Sequence, residues 1–141
     1  MSEKWDKRFL ELAGFISGWS KDPSTKVGAV IADPENRIVS IGYNGFPRGV
    51  EDTPERLENR EIKYKLIIHG ERNAILFANR DLKGCRLYTS MLPCAPCAAM
   101  IIQKGISEVI APFSDNPRWV EDFKLAEEMF SEAGVGLIII K

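Results

Sequence analysis

Apolar residues at Trp5, Phe9, Leu12, Ala13, Ile16 and Trp19 recur at the spacing of one helical face, which predicts a first helix whose aromatics enter a core. The stripe stops at Ser20-Lys21-Asp22-Pro23-Ser24-Thr25-Lys26, where loop formers and a proline disfavour helix. Val27-Gly28-Ala29-Val30-Ile31 is almost wholly apolar, as suits a strand covered on both faces. Asp33-Pro34-Glu35-Asn36 supplies turn chemistry, and residues 37–43 return as the second strand of a hairpin. Asn44-Gly45 follows and, taken bare, is a turn. Between residues 46 and 66 the pattern dissolves into charge and proline, and the segment reads as an insertion forming a flap or an oligomer contact. Its second half predicts an exposed helix with ion pairs one turn apart, for which a plain solvated surface helix is the simpler description.

Beyond Ile67-Ile68, residues Ala74, Ile75, Phe77 and Ala78 carry a helix that opens near His69. Residues 85–89 are β-formers, residues 98–102 are helical with Gly105 as a natural C-cap, and residues 108–111 form the next strand. Such a strand, helix, strand unit gives adjacent parallel strands through a right-handed crossover. Residues 112–117 then form a loop at a strand's C-terminal end, where ligands bind in open α/β sheets. Trp119, Phe123, Ala126, Phe130 and Ala133 mark a last helix, Gly134 caps it, and residues 135–140 form a final apolar strand. The prediction is an α/β fold, a mixed sheet with helices on both faces, with residues 1–141 as a single domain.

Composition narrows the function. A chain of 141 residues with 45% hydrophobic content supports one core. Nineteen basic against twenty acidic residues give no field for gripping duplex nucleic acid or tRNA, so a small substrate is expected. No apolar run approaches the roughly 18 residues that span a bilayer. Three cysteines, two of them in a C-x-x-C, favour a metal or redox role in a reducing compartment over a disulfide framework, and the cytoplasm is the expected location.

His69 is the only histidine, and Cys94 and Cys97 are two of the three cysteines, so an imidazole and thiolate metal site has to be built from them. Zinc held by three protein ligands keeps a fourth position for water, which marks a catalytic site. Cys85 lies in a strand that belongs to the core, where a thiol behaves as a small apolar group. Cys97 falls at a helix N-terminus that favours thiolate, and Pro96 is tolerated in that first turn. With His69 opening another helix, two helix N-termini are expected to face one another across the metal. Glu71, off the ligand set, is placed to take a proton from the water and return it to a leaving amine. His-x-Glu followed by Pro-Cys-x-x-Cys is the signature of the zinc deaminases, with the glutamate as acid and base.

On these residues the chain resembles the cytidine and deoxycytidylate deaminase superfamily, and within it the deoxycytidylate branch most closely. The likeness includes Trp5-Asp6, Asp22-Pro23, Gly42-Tyr43-Asn44-Gly45-Phe46-Pro47, His69-Gly70-Glu71 with Asn73-Ala74-Ile75, Leu87-Tyr88-Thr89 and Pro93-Cys94-Ala95-Pro96-Cys97. It implies a three-layer αβα fold around a five-stranded mixed sheet, conversion of dCMP to dUMP for thymidylate supply, and a homo-oligomer, a hexamer or a dimer. It further implies that Asn44 holds the deoxyribose and that the Ser24-Thr25-Lys26 loop receives the phosphate, although Lys26 is equally an ordinary exposed lysine before a strand. Control by dCTP and dTTP, common in that branch, is left open.

Three departures matter. Gly70 stands where alanine is usual, a change that reads as sterically mild. Residues 46–65 hold neither histidine nor cysteine, so the second zinc carried by many relatives is expected to be absent. The loop after Ala111 offers Arg118 and Trp119 where relatives place a tyrosine and an aspartate: Trp119 to stack on a base and Arg118 to meet phosphate, or Trp119 as the first core residue of the last helix. Alternative substrates are dCTP, 5-methyl-dCMP or a nucleoside-like drug. A different class, a catalytically silent zinc-stabilised interaction module, has no use for Glu71.

Overall fold

The computed structural model describes residues 3–141. The elements in chain order are α1 (Glu3–Ser17), β1 (Gly28–Ala32), β2 (Ile38–Tyr43), α2 (Pro54–Glu58), α3 (Arg60–Leu66), α4 (Gly70–Phe77), β3 (Arg86–Thr89), α5 (Ala95–Gln103), β4 (Glu108–Pro112), α6 (Pro117–Ala133) and β5 (Gly136–Ile140). The strands form one mixed sheet in the order β2-β1-β3-β4-β5. β1 runs antiparallel to both β2 and β3, while β3, β4 and β5 are mutually parallel, as the strand, helix, strand pattern requires.

The period-two alternation of strand side chains divides the core into two layers. Ala29, Ile31, Leu87 and Val109 face one way and pack with Ala74 and Ile75 of α4, Ala98 and Ile101 of α5, and Phe123, Ala126 and Phe130 of α6. Val30, Ala32, Tyr88 and Ile110 face the other way and meet Phe9, Ala13 and Ile16 of α1. Every residue of β1 is buried because helices cover both of its faces, whereas the edge strand β2 alternates between buried and partly exposed positions. On the α1 side, the buried Tyr88 hydroxyl donates to Asp6 at 2.7 Å, giving each polar group a partner where water is excluded.

Two expectations from the pattern need correction. The aromatics of the first helix do not all enter the core: Phe9 does, but Phe15 and Trp19 are 67% and 50% exposed. The helix stops at Ser17, so Trp19 leaves the helical face and instead meets Phe15 and Tyr43 edge-on at 6.0 Å. The charged segment, for its part, is not merely a solvated surface. It forms two short helices, α2 capped by the Thr53 side chain and α3 by that of Asn59, and α3 buries Lys63.

The seating of α4 on the sheet fixes where the site can be. A Cβ added at Gly42 in β2 would lie 2.3 Å from the backbone nitrogen of Ala74 and 2.6 Å from the carbonyl oxygen of Gly70. The helix backbone therefore rests directly on the strand, which only glycine permits. Gly42→Ala is expected to lower unfolding stability by about 1–3 kcal/mol or more, since backbone and not a flexible side chain must move. Gly14→Ala, exposed in α1 with nothing within 4 Å of the new methyl, is the control and should leave the midpoint unchanged or raise it, by roughly 0.5–1 kcal/mol. Thermal or urea unfolding of the two variants checks the contrast.

Candidate active site

His69 is the N-cap of α4, Cys94 is the N-cap of α5, and Cys97 lies in the first turn of α5. N-cap residues have extended backbone, and the His69 side chain makes no bond to its own helix, which leaves it free to face the sulfurs at the start of α5. His69 Nδ1 lies 3.1 Å from Cys97 Sγ and 3.5 Å from Cys94 Sγ. The three ligand atoms all lie within 4.8 Å of one another. Two helix N-termini thus present their positive ends to two sulfurs, as the local sequence suggested.

Close approach again makes this possible. A Cβ on Gly70 would stand 2.8 Å from the carbonyl oxygen of Val27. The Gly70 departure is therefore not sterically mild: the strand start and the helix start touch through backbone there. The chain leading into His69 is pinned by a bridge in which Gly45 and Ile68 exchange backbone hydrogen bonds of 3.1 and 2.8 Å.

Glu71, one residue into α4, is 4% exposed and lines the cavity in front of the cluster. Burial pushes its carboxyl up to about 7. The Cys94 thiol is held down to about 4, chiefly by its hydrogen bond with Cys97 and then by His69, while Cys97 is pushed up by the same sulfur pair and by burial. Burial opposes charge on Arg72, but its guanidinium reaches both Cys97 and Cys94, which outweighs that and holds it charged. The donor set of one imidazole and two thiols, with a cation beside the sulfurs, suits zinc with a position left open. Cys85 is fully buried in the core and stands outside the cluster.

The cavity has a volume of about 350 Å³, and His69, Cys94, Glu71, Asn44, Thr25, Arg118 and Trp119 all line it. It adjoins a second recess of about 460 Å³ between the α2–α3 segment and the start of α6, to which Ser24 contributes. Lys26 is exposed and borders neither space. The cation brought to this region is instead Lys63 of α3. Its Nζ donates to Asp22 Oδ1 at 3.0 Å and to Ser24 Oγ at 2.7 Å, and both members of the ion pair are buried. Burial opposes ionisation of Asp22, but the Ser24 backbone N–H, Lys63 and the Thr25 N–H hold its carboxyl below the usual range.

Asn44 is buried and fully engaged. Its Oδ1 accepts from Val27 N at 2.8 Å, and its Nδ2 donates to Thr25 O at 2.9 Å, with Asp22 Oδ2 at 3.4 Å. It ties the loop after α1 to the strand ends that border the cavity. Trp119 is partly exposed on the cavity wall at the start of α6, and the Arg118 guanidinium lies 4.7 Å above its ring. Sequence reading missed Asp22, Lys63, Tyr64 and Arg72 as cavity or cluster residues. Asp22 left a signal in the Asp22-Pro23 pair of the family resemblance, and Arg72 in its place one position beyond the glutamate of His-x-Glu.

A mixed sheet that presents an imidazole, two thiols and a buried carboxyl at two helix N-termini has the arrangement of a zinc deaminase. The chain belongs to the cytidine and deoxycytidylate deaminase family, whose zinc-binding region matches residues 3–112. It is 51% identical over 138 residues to an uncharacterized deaminase of Aliivibrio fischeri, covering 96% of this chain and 92% of that protein. It is 43% identical over 138 residues to the human deoxycytidylate deaminase, covering 94% and 77%. The fold matches the crystal structure of a dCMP deaminase from the cyanophage S-TIM5 in complex with dCMP and dUMP, with a TM-score of 0.78, 21% identity and 99% of each chain covered. No helix among the described residues is long and apolar enough to cross a membrane.

Lys63→Met leaves the Asp22 carboxylate buried without its cation and is expected to cost about 3–5 kcal/mol in urea unfolding. Adding Asp22→Asn to that variant should recover part of the loss; a single variant as stable as the parent would show that the pair does not hold the loop.

Proposed function

We propose that the chain hydrolyses dCMP to dUMP and ammonia, with zinc held by His69, Cys94 and Cys97 and with Glu71 as the proton carrier. The observation that carries this reading is the buried Glu71 carboxyl in the cavity in front of a cluster of two thiols and one imidazole. A zinc ion in that cluster supplies a Lewis acid that brings the pKa of water toward about 7. Glu71 takes a proton from the attacking water and returns it to the departing exocyclic nitrogen, so the C4–N bond gives way to a C4–O bond and ammonia leaves. A carboxyl within reach of both the water and the departing nitrogen suits both halves of that exchange.

Arg72 offsets thiolate charge beside Cys94 and Cys97. Asn44 fixes the loop at the sugar end, and Trp119 gives the base an aromatic wall. The curated deoxycytidylate deaminases among the relatives support dCMP over other cytosine nucleotides. We read residues 1–141 as one deaminase domain acting in the cytoplasm. The exposed Phe15, Trp19, Tyr43 and Phe77 side chains support a homo-oligomer.

Ammonia release measured across cytidine, CMP, dCMP, dCTP and 5-methyl-dCMP should give the highest kcat/KM for dCMP; no release from any of them contradicts the reading. Glu71→Gln is expected to keep its zinc and lose roughly 10²–10⁴-fold in kcat. Trp119→Ala, folded and zinc-loaded, should raise KM for dCMP about tenfold, and unchanged kinetics would remove Trp119 from base recognition.

A further inference from the structure

The sheet has two edges, and only one of them is guarded. At β2 the pairing with β1 shifts register between Ile31 and Ala32, and the Tyr43 carbonyl accepts from Asn73 Nδ2 at 2.8 Å. A bulge and a covered carbonyl keep an edge from recruiting another strand. β5 has neither device: it runs in even register beside β4, and Gly136 is followed by Leu137, Ile138, Ile139 and Ile140, with no charge and no proline. The backbone groups it leaves over can be read from the ladder. Gly136 N donates to Ser107 O at 2.9 Å, and Ile140 O accepts from Phe113 N at 2.8 Å. Because alternate residues point the same way, Gly136, Ile138 and Ile140 turn toward β4, while the N–H and C=O groups of Leu137 and Ile139 turn outward. Among the described residues no hydrogen bond reaches those outward groups.

These groups complement a second copy of themselves. With another β5 laid antiparallel and Ile138 on the two-fold axis, Leu137 of each copy faces Ile139 of the other, and the pair exchanges both of its hydrogen bonds. On the α6 side of the sheet Leu137 meets Ile139. On the α1 side Ile138 meets its own symmetry mate, and Ile140 meets Gly136, which has no side chain to obstruct it. Charge stays at the margin. A recess of about 570 Å³ between the start of α1 and β5 is bordered by Glu3, Asp6, Lys7, Glu108 and Lys141. Lys7 pairs with Glu3 at 3.3 Å, Asp6 accepts from Tyr88, and Lys141 lies 5.0 Å over the Phe113 ring. Glu108 sits over Gly136, at one end of the strand. The centre of the edge is left apolar, as in the core of an interface between copies.

We propose that two copies of the chain join through β5, antiparallel about Ile138, into one continuous sheet. The occupant of the edge is a second copy because its donor and acceptor pattern and its side-chain sizes match themselves, so the contact closes with two chains. This rests on the homo-oligomer reading and gives it a surface at the opposite sheet edge from Tyr43. No residue of β5 lines the cavity that holds Glu71, so the contact leaves the site open.

Sedimentation equilibrium of the zinc-loaded protein over a range of concentrations tests this. Ile139→Pro removes only an outward N–H, which an edge position tolerates, and should weaken self-association about tenfold or more, with folding checked by circular dichroism. Ile139→Val keeps that N–H and should assemble as the parent does. Ile138→Cys brings two thiols together at the axis, where the Cα atoms of a non-hydrogen-bonded pair stand about 4.5 Å apart, within disulfide reach. Oxidised glutathione should link that variant into covalent dimers and leave the parent unlinked. The β5 contact alone is overturned if folded Ile139→Pro assembles as the parent does, or if Ile138→Cys yields no more covalent dimer than the parent. A parent that stays monomeric overturns it together with the homo-oligomer reading. Should Ile139→Pro fail to fold, the covalent link decides. None of these readouts is ammonia release, so failure of the proposed reaction leaves the result unchanged.

Discussion

At Gly42 the backbone of α4 lies against the sheet with no side chain between them, and the placement of the site follows from that contact. Gly42 admits the helix at Ala74 and Gly70, and Gly70 in turn admits the Val27 carbonyl. With a methyl at either position the helix would have to stand off, carrying His69 and Glu71 with it. The parallel β3-α5-β4 crossover delivers Cys94 and Cys97 to the same end of the sheet. The metal cluster is thus where two helix starts, each fixed by the strands beneath it, meet.

A second layer of constraint shapes the cavity mouth. Asp22 sits in the loop after α1, and Lys63 reaches it from α3 across 41 positions. A buried pair of this kind adds little net stability but is costly to break, so it fixes which surface of α3 faces the cavity. Asn44 binds the same loop from the other side through Val27 and Thr25. The wall opposite Glu71 is then completed by the first turn of α6, where Arg118 covers Trp119. Polar groups are drawn inside here because each finds a partner.

Much of this was readable in the sequence because it rests on rare residues or local pattern. One histidine and a C-x-x-C leave few ways to build a site, and short apolar runs between turn formers specify the strands. What could not be read depends on distance. Lys63 lies among Arg60, Glu61 and Lys65, and nothing local distinguishes the one that turns inward. Arg60 and Arg118 meet at the Tyr64 hydroxyl only after α3 and α6 are folded against each other. The steric demand at Gly70 comes from a carbonyl 43 positions earlier, in Val27. Trp19 continues the apolar stripe of α1 on paper, but the helix ends two residues before it. The loop lysine Lys26, suited by charge to a phosphate, is exposed two residues before the chain enters the sheet at Gly28.

The central claim is that the two helix starts build a three-ligand zinc site with one position free for water. X-ray absorption at the zinc edge on the purified, loaded protein tests it most directly. One zinc per chain with two sulfurs at about 2.3 Å and two nitrogen or oxygen donors at about 2.0–2.1 Å is the expected result. A third sulfur, which would bring Cys85 out of the core, or a protein that binds no zinc would contradict it.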